Sequence, residues 1–245
     1  YDAGANWYHP DFKDVGQTVA VGFDMRHPYY VYTGLQDNGS VAGPSSKPNG
    51  APITMEDWYN TGGGDGMYNV VDPNDWRYLY NESQFGPLSR RNQETGESKS
   101  IRYREMDRWA WNAPIVISHH DSKTIYHAGN KVVKSTNRGE SWEVISEDLT
   151  TKDEAKIAGT GNIQYCTIVT MDESPVQQGL LWIGTDDGMV WLTKNDGKDW
   201  TNVGKNISDH PGYWVSRVEP SNFDPGTAYI TITGIRNDDF SAFIW

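Results

Sequence analysis

Ser135-Thr136-Asn137-Arg138-Gly139-Glu140-Ser141-Trp142 recurs as Thr193-Lys194-Asn195-Asp196-Gly197-Lys198-Asp199-Trp200. Asp2-Ala3-Gly4-Ala5-Asn6-Trp7 repeats the last six positions. Each copy places Asn or Asp two residues before a glycine and five before a tryptophan. The physics is that of a hairpin turn. The short polar side chain bonds back to backbone amides, the glycine takes a positive φ, and the tryptophan packs against the sheet. Asp2, Gly4, Trp7, Ser135, Asn137, Gly139, Trp142, Asn195, Gly197 and Trp200 are therefore read as structural positions. Asn195-Asp196 reads as a turn, not a calcium ligand pair. Glu94-Thr95-Gly96 is a degenerate copy without the tryptophan.

Between these turns lie short aromatic and β-branched runs. Tyr32, Tyr80, Tyr126, Trp182 and Tyr229 anchor five of them, at steps of 48, 46, 56 and 47 residues. A second strand-like run precedes each anchor, for example Met67 to Val71 before Tyr80 and Trp214 to Val218 before Tyr229. Units of this length suggest four-stranded propeller blades. A sandwich would not repeat its anchors so evenly. The only helical candidate is Asp148 to Ile157. Gln164 to Val169 reads as a buried strand that carries a packed thiol, Cys166.

The 245 residues include 25 Gly, 11 Trp and 14 Tyr, which argues against a helical bundle and for short strands joined by tight turns. The net charge of −12 opposes a phosphate backbone, so nucleic acid is not an expected partner. No apolar run approaches a membrane span. A single cysteine excludes an internal disulfide and any multi-cysteine metal site. His119-His120 point to opposite sides of a strand and chelate poorly. No metal and no cofactor is expected.

The turns resemble the Asp-box of BNR-repeat β-propellers, a superfamily that includes sialidases, xyloglucanase-type glycosidases and the sortilin ectodomain. Tyr32 to Ser40, Gly62-Gly63-Gly64-Asp65-Gly66, Glu82 to Gly86, Arg108 to Pro114 and Ser146 to Thr150 look closer still to large bacterial secreted BNR-repeat proteins labelled glycosyl hydrolase or sortilin-like. The resemblance implies an all-β fold, a propeller of four-stranded antiparallel blades with Asp-box hairpins. About five blades are visible, at 17–60, 61–112, 113–160, 161–212 and an incomplete 213–245, with 1–16 ending another. It also implies an arc of a larger propeller in preference to a self-closed five-bladed ring, an extracellular or periplasmic location, and a place in a larger chain or assembly. Asp-boxes lie on the blade periphery in such families, away from the central funnel.

Taking the anchor strands as the inner ones, the turns after them should face one mouth. They carry Gln36, Asp37, Asn38, Glu82, Gln84, Asn130, Asp186, Asp187 and Arg236. As a scaffold, this polar, acidic mouth would present Gln36, Asn38, Gln84, Trp109, Trp111, Asp187 and Arg236 to a protein, peptide or glycan ligand. The long Pro/Ser/Gly-rich insert from Gly43 to Asn60 would add a recognition loop. The alternative is a glycoside hydrolase acting on a polysaccharide. That chemistry needs two carboxylates about 5–9.5 Å apart on an aromatic groove. Asp37, Asp65, Glu82 and Asp186 are the candidates, with Trp58, Trp109 and Trp111 as stacking platforms. The glycine run around Asp65 is not a phosphate loop, because it lacks the Lys-Ser/Thr ending and a following helix. Nothing marks a nucleophilic serine.

Overall fold

The structure, a computed structural model, describes residues 3–7, 16–159 and 163–245. Its strands form five antiparallel meanders, each with spatial order equal to chain order. Sheet 1 holds β1 (Thr18–Phe23), β2 (Tyr30–Leu35), β3 (Gly39–Pro44) and β4 (Tyr59–Gly62). Sheet 2 holds β5 (Gly66–Val71), β6 (Tyr78–Ser83), β7 (Leu88–Asn92) and β8 (Ser98–Ser100). Sheet 3 holds β9 (Ile115–Ile117), β10 (Ile125–Ala128), β11 (Val132–Ser135) and β12 (Glu143–Val144). Sheet 4 holds β13 (Ile168–Glu173), β14 (Leu181–Thr185), β15 (Val190–Thr193) and β16 (Thr201–Asn202). Sheet 5 has three strands, β17 (Trp214–Pro220), β18 (Ala228–Gly234) and β19 (Asp239–Ile244).

The first strands pack in series, β1 on β5, β5 on β9, β9 on β13 and β13 on β17. Tyr68 of β5, Val169 of β13 and Ser216 of β17 line one cavity. Three sheets that are not all neighbours in sequence meet there because their first strands stand around a common axis. This corrects the expectation that the anchor strands are innermost. The anchors lie on the second strands, one step out from the axis.

The core is divided among the seams. Tyr32, Ala42, Val71 and Leu79 fill seam 1–2, and Tyr80, Leu88, Ile115 and Ile125 fill seam 2–3. Tyr126, Val132, Ile168 and Ile183 fill seam 3–4, and Trp182, Val190, Val215 and Ile230 fill seam 4–5. Strands that serve two seams are apolar on both faces, which is why β14 reads Leu-Trp-Ile-Gly-Thr and is buried throughout. At about 2 kcal/mol per buried large side chain, each seam is held by several such contributions.

The repeated turns sew the outer ends of these seams. Ser135 Oγ accepts from Gly139 N (2.8 Å), and Thr193 Oγ1 accepts from Gly197 N (3.0 Å). Asn137 Oδ1 and Asn195 Oδ1 each accept from the amide four residues on, at 3.0 Å. Arg138–Gly139 and Asp196–Gly197 both take left-handed φ, at 58° and 82° and at 61° and 85°. The tryptophan then reaches backwards. Trp142 Nε1 donates to Ile101 O (2.7 Å) and Trp200 Nε1 to Ile145 O (2.9 Å). Each acceptor follows the last strand of the preceding sheet. The anchor tyrosines are met from the same side, Tyr32 by Gln93 (3.0 Å) and Tyr126 by Asp196 (3.1 Å).

Ala3–Gly4 repeats the pair of left-handed residues, at 56° and 84°. Trp7, by contrast, is 91% exposed, since no preceding sheet offers it a carbonyl among the described residues. Asp2 lies outside the described residues. The degenerate turn uses Asn92 Oδ1, which accepts from Glu94 N (2.9 Å) and Thr95 N (3.2 Å).

Three further expectations are adjusted. The strand expected from Gln164 begins at Ile168, and Cys166 sits before it in a left-handed turn (φ 57°) with its thiol buried. The helix is one turn, Glu154–Ala158, capped by the Asp153 carboxylate on Ala155 N and Lys156 N. The 43–60 insert is ordered by the Trp58 ring against Gly43 and by the Lys47–Asp57 ion pair (2.9 Å). Among the described residues no helix is long and apolar enough to cross a membrane.

Candidate functional site

The polar turns after the second strands share one device. Gln84 N donates to Asp65 O (3.1 Å), and Asp65 N donates back to Gln84 Oε1 (2.9 Å). Asn130 and Arg108 repeat this, with Asn130 N to Arg108 O at 3.0 Å and Arg108 N to Asn130 Oδ1 at 3.2 Å. Asp186 and Thr167 repeat it again, with Asp186 N to Thr167 O and Thr167 N to Asp186 Oδ1 both at 3.0 Å. Gln36 N donates to Gln17 O (3.1 Å), the same backbone half of the clamp. Each turn is thus bonded to the segment that leads into its own first strand. Gln84, Asn130 and Asp186 spend their side chains on this clamp.

The candidate carboxylates fall into two settings. Asp37 is exposed at φ 62°, and its amide donates to Asp65 Oδ1 (2.9 Å). Asn38 folds onto its own turn, Nδ2 to Gln36 O at 3.1 Å. Glu82 is buried. Its carboxylate accepts from Ala113 N (3.1 Å) and Tyr68 N (3.4 Å), and burial pushes its pKa well above the usual carboxylate range. Asp186 is buried too, and burial pushes it up to about 6 despite bonds from Thr167 N and Thr167 Oγ1 (2.7 Å). Asp187 accepts from Thr151 Oγ1 (2.6 Å) and Thr185 Oγ1 (2.5 Å), which ties the 148–153 segment to the turn. Of these groups, only Asp37 and Asp65 are bonded to each other.

The aromatic candidates also separate. Trp109 is buried under Gly86, where a Cβ would meet its ring at 2.3 Å, and its ring lies tilted 4.4 Å from that of His127. It is a core residue and offers no face to a ligand, which corrects its reading as a platform. His127 is equally buried, its ring nitrogens have no protein partner, and burial pushes its pKa down to about 3. Trp58 is engaged on Gly43. Trp111 lines a cavity.

That cavity has a volume of about 230 Å³ and sits where the first strands converge. Trp111 and Asn112 reach it from the segment before β9, Gln164 and Thr167 from the segment before β13, and Trp214 from the start of β17. Arg236, from the turn after β18, closes one side. Its guanidinium lies 4.1 Å over the Trp214 ring and donates to Tyr165 Oη at 2.9 Å. Tyr165 meets Trp214 edge-on at 6.1 Å. The result is an aromatic wall with a cation held against it. Behind the wall stand the two buried carboxyls, Asp186 on Thr167 and Glu82 on Tyr68 N.

No family model matches the chain, and no curated protein matches it. Solved structures do. They include a GH74 enzyme from Niastella koreensis, with TM-score 0.53 and 15% identity over 86% of this chain and 27% of that one. An ancestral GH74 enzyme gives 0.60 and 17%, over 89% and 27%. The GH74 xyloglucanase from Xanthomonas campestris gives 0.58 and 14%, over 88% and 35%. The chain has the fold of a β-propeller. At these identities the likeness speaks for fold alone. The chain spans about a quarter to a third of the length of these enzymes.

The propeller axis explains which site residues the sequence reading reached. Trp111 and Arg236 lie on the axial cavity. Trp214, Tyr68, Tyr165, Gln164 and Asn112 lie in or just before first strands, and the turns after the anchor strands do not point to them. The usable signal is the run of polar and aromatic residues just before β9 and β13. Among the described residues no group of three or more His, Cys, Asp or Glu is placed to hold a metal ion. His119 faces Asp172 (3.5 Å) while His120 bonds Ser174 O (2.9 Å), so the two rings part.

Proposed function

We propose that this chain is part of a secreted BNR-repeat propeller directed at glycans, and that its axial cavity binds a saccharide without chemistry of its own. The observation that carries this reading is the aromatic wall of Trp111, Trp214 and Tyr68 with Arg236 at its edge. Sugar rings stack on aromatic faces through their C–H groups, and the adjoining Asn112, Gln164 and Thr167 supply hydroxyl partners. The GH74 enzymes that share the fold support a carbohydrate ligand over a peptide. The Asp-box reading of the turns rests on Ser135, Asn137, Gly139 and Trp142 and their copies, whose bonds are those a peripheral stitch requires.

Hydrolysis is the second reading, and Asp186 is the observation that favours it. A carboxyl held up to about 6 beside the cavity wall has the pKa of a general acid. Its two oxygens are spent on Thr167, however, and among the described residues no carboxylate lines the cavity. Binding is therefore preferred. Calorimetric titration with neutral gluco- and xylogluco-oligosaccharides tests it. We expect saturable binding that Trp111→Ala weakens by roughly tenfold, the loss of one stacking face. Oligosaccharides that fail to bind, or a Trp111→Ala protein that binds them equally well, would remove the cavity as the site. Product release that depends on Asp186 would favour the second reading.

A further inference from the structure

Seam 2–3 carries a group of cations that the glycan reading does not use. Cross-strand register pairs Tyr80 with Arg90 and Tyr126 with Lys134, so Arg90 and Lys134 hold equivalent places in sheets 2 and 3. Arg138 and Asp196 likewise hold one place in the repeated turns of sheets 3 and 4. In seam 3–4 these two positions form the Lys134–Asp196 ion pair, and the seam is neutral there. In seam 2–3 both positions are arginine. Two arginines at this place cannot pair with each other, and each takes a separate carboxylate, Asp72 for Arg138 and Glu140 for Arg90.

Arg90 and Arg138 open onto a shallow pocket of about 310 Å³ with Tyr78, Lys123 and Asn137. The Arg138 guanidinium lies 4.2 Å over the Tyr78 ring and is held by the fully buried Asp72 carboxylate at 3.0 Å. Arg90 donates to Arg138 O (2.9 Å) and to Glu140 (2.7 Å), a carboxylate shared with Lys99. Asp121 is occupied by Lys123 N (3.1 Å) and Thr124 Oγ1 (3.0 Å). The Lys123 side chain is exposed and forms no ion pair among the described residues. Both guanidinium groups are therefore fixed in place with N–H groups to spare, and a free ammonium stands beside them. All this occurs in a chain of net charge −12, so the cluster is not part of a generally basic surface.

We propose that this pocket binds a tetrahedral oxyanion, a sulfate or phosphate group, between Lys123 and the guanidinium groups of Arg90 and Arg138. Pre-positioned guanidinium groups offer paired N–H donors at the spacing of two oxyanion oxygens and desolvate easily. Asp72 and Glu140 already balance the two arginines, so the anion would be held by the remaining N–H donors and by the unpaired charge of Lys123. The same chemistry arises from a free inorganic ion or from a sulfate ester on a glycan.

The test is equilibrium dialysis of the protein with radiolabelled sulfate at constant ionic strength in chloride, beside binding of a sulfated oligosaccharide and its desulfated form. Wild-type protein should bind about one sulfate per chain. Lys123→Glu removes one attraction and adds one repulsion, which should raise the dissociation constant by roughly tenfold. Lys123→Ala should give a smaller rise in the same direction and serves if the reversal perturbs folding. Competition between sulfate and the sulfated, but not the desulfated, oligosaccharide identifies a glycan ester as the source; sulfate binding without competition identifies the free ion. Absence of sulfate binding, or equal affinity in wild type and both Lys123 variants, overturns the proposal.

Discussion

Replacing Gly197 by alanine separates the two jobs that the repeated turn does. The residue sits at φ 85°, which costs an L-residue about 1 kcal/mol or more. A Cβ there would also lie 2.6 Å from Ile145 O and 2.7 Å from Ile145 Cβ, atoms of the preceding sheet. Contact that close to a backbone oxygen is not relieved by a rotamer change, so the turn must withdraw. Overpacking of this kind costs about 1–3 kcal/mol. Withdrawal stretches the 2.9 Å bond from Trp200 Nε1 to the same Ile145 oxygen, worth about 1 kcal/mol more. Gly197→Ala should therefore cost about 3–5 kcal/mol. Gly96 supplies the control, with φ 78° and nothing within 4 Å of its would-be Cβ. Gly96→Ala should cost only the backbone part, about 1 kcal/mol.

Urea unfolding followed by tryptophan fluorescence reads both variants, with the slope against denaturant checked for constancy. A double variant adds a sharper condition. Trp200→Phe should cost about 1 kcal/mol alone but little on top of Gly197→Ala, because the bond it removes is already stretched. Equal costs for Gly197→Ala and Gly96→Ala, or full additivity in the double variant, would show that the turn does not couple to the neighbouring sheet.

Two further outcomes follow from the clamp and from the turn beneath it. Asp186 holds its proton more tightly when folded, at about 6 against an ordinary 3.8, so its contribution to stability falls as pH rises from about 4 to above 6. That loss is roughly 2–3 kcal/mol by linkage. Asp186→Asn keeps the acceptor for Thr167 N, as Asn130 does for Arg108 N, and should remove that part of the pH slope while stabilising the protein at neutral pH. Unfolding curves of the two proteins between pH 4 and 7.5 that run parallel would refute this. The Cys166 thiol is buried beside Thr151 and Asp153 O, and burial pushes its pKa up. It should resist thiol reagents in native buffer and react within seconds in denaturant; rapid native labelling would place it at the surface instead.

The fold was legible because its periodic marks are local. A glycine forced to positive φ and a tryptophan three residues later announce one turn, and their recurrence announces the sheet series. The anchors were equally local, yet their radial position was not. Tyr32, Tyr80 and Tyr126 are buried whether their strand is first or second from the axis, so burial alone could not order the strands. That ambiguity carried into the site. The turns after β2, β6, β10 and β14 are polar, and polarity at a presumed mouth reads as recognition. In the structure Gln84, Asn130 and Asp186 are polar because each must accept a backbone amide from the segment leading into its own first strand. A reciprocal bond of this kind joins residues about twenty apart, and sequence spacing does not reveal it.

In a repeat fold, equivalent positions answer the same structural demand, so departures from the repeat carry more functional information than the residues that obey it. The clamp position obeys, and its Gln, Asn and Asp are interchangeable acceptors. The tryptophan of the turn obeys in sheets 3 and 4. The segment before each first strand does not. It carries Asp65 in a bare glycine run at sheet 2, Trp111-Asn112 at sheet 3 and Gln164 to Thr167 at sheet 4, and the last two open onto the axis. The pair at the outer seam departs as well, from Lys134–Asp196 to Arg90–Arg138. Stability alone would favour one direct ion pair at both seams, where seam 2–3 instead uses Asp72 and Glu140 to balance two arginines, and aliphatic side chains around the axial cavity. The aromatic wall under Arg236 and the paired arginines at seam 2–3 are the two places where this chain gives up that advantage, and ligands of matching chemistry are what would restore it.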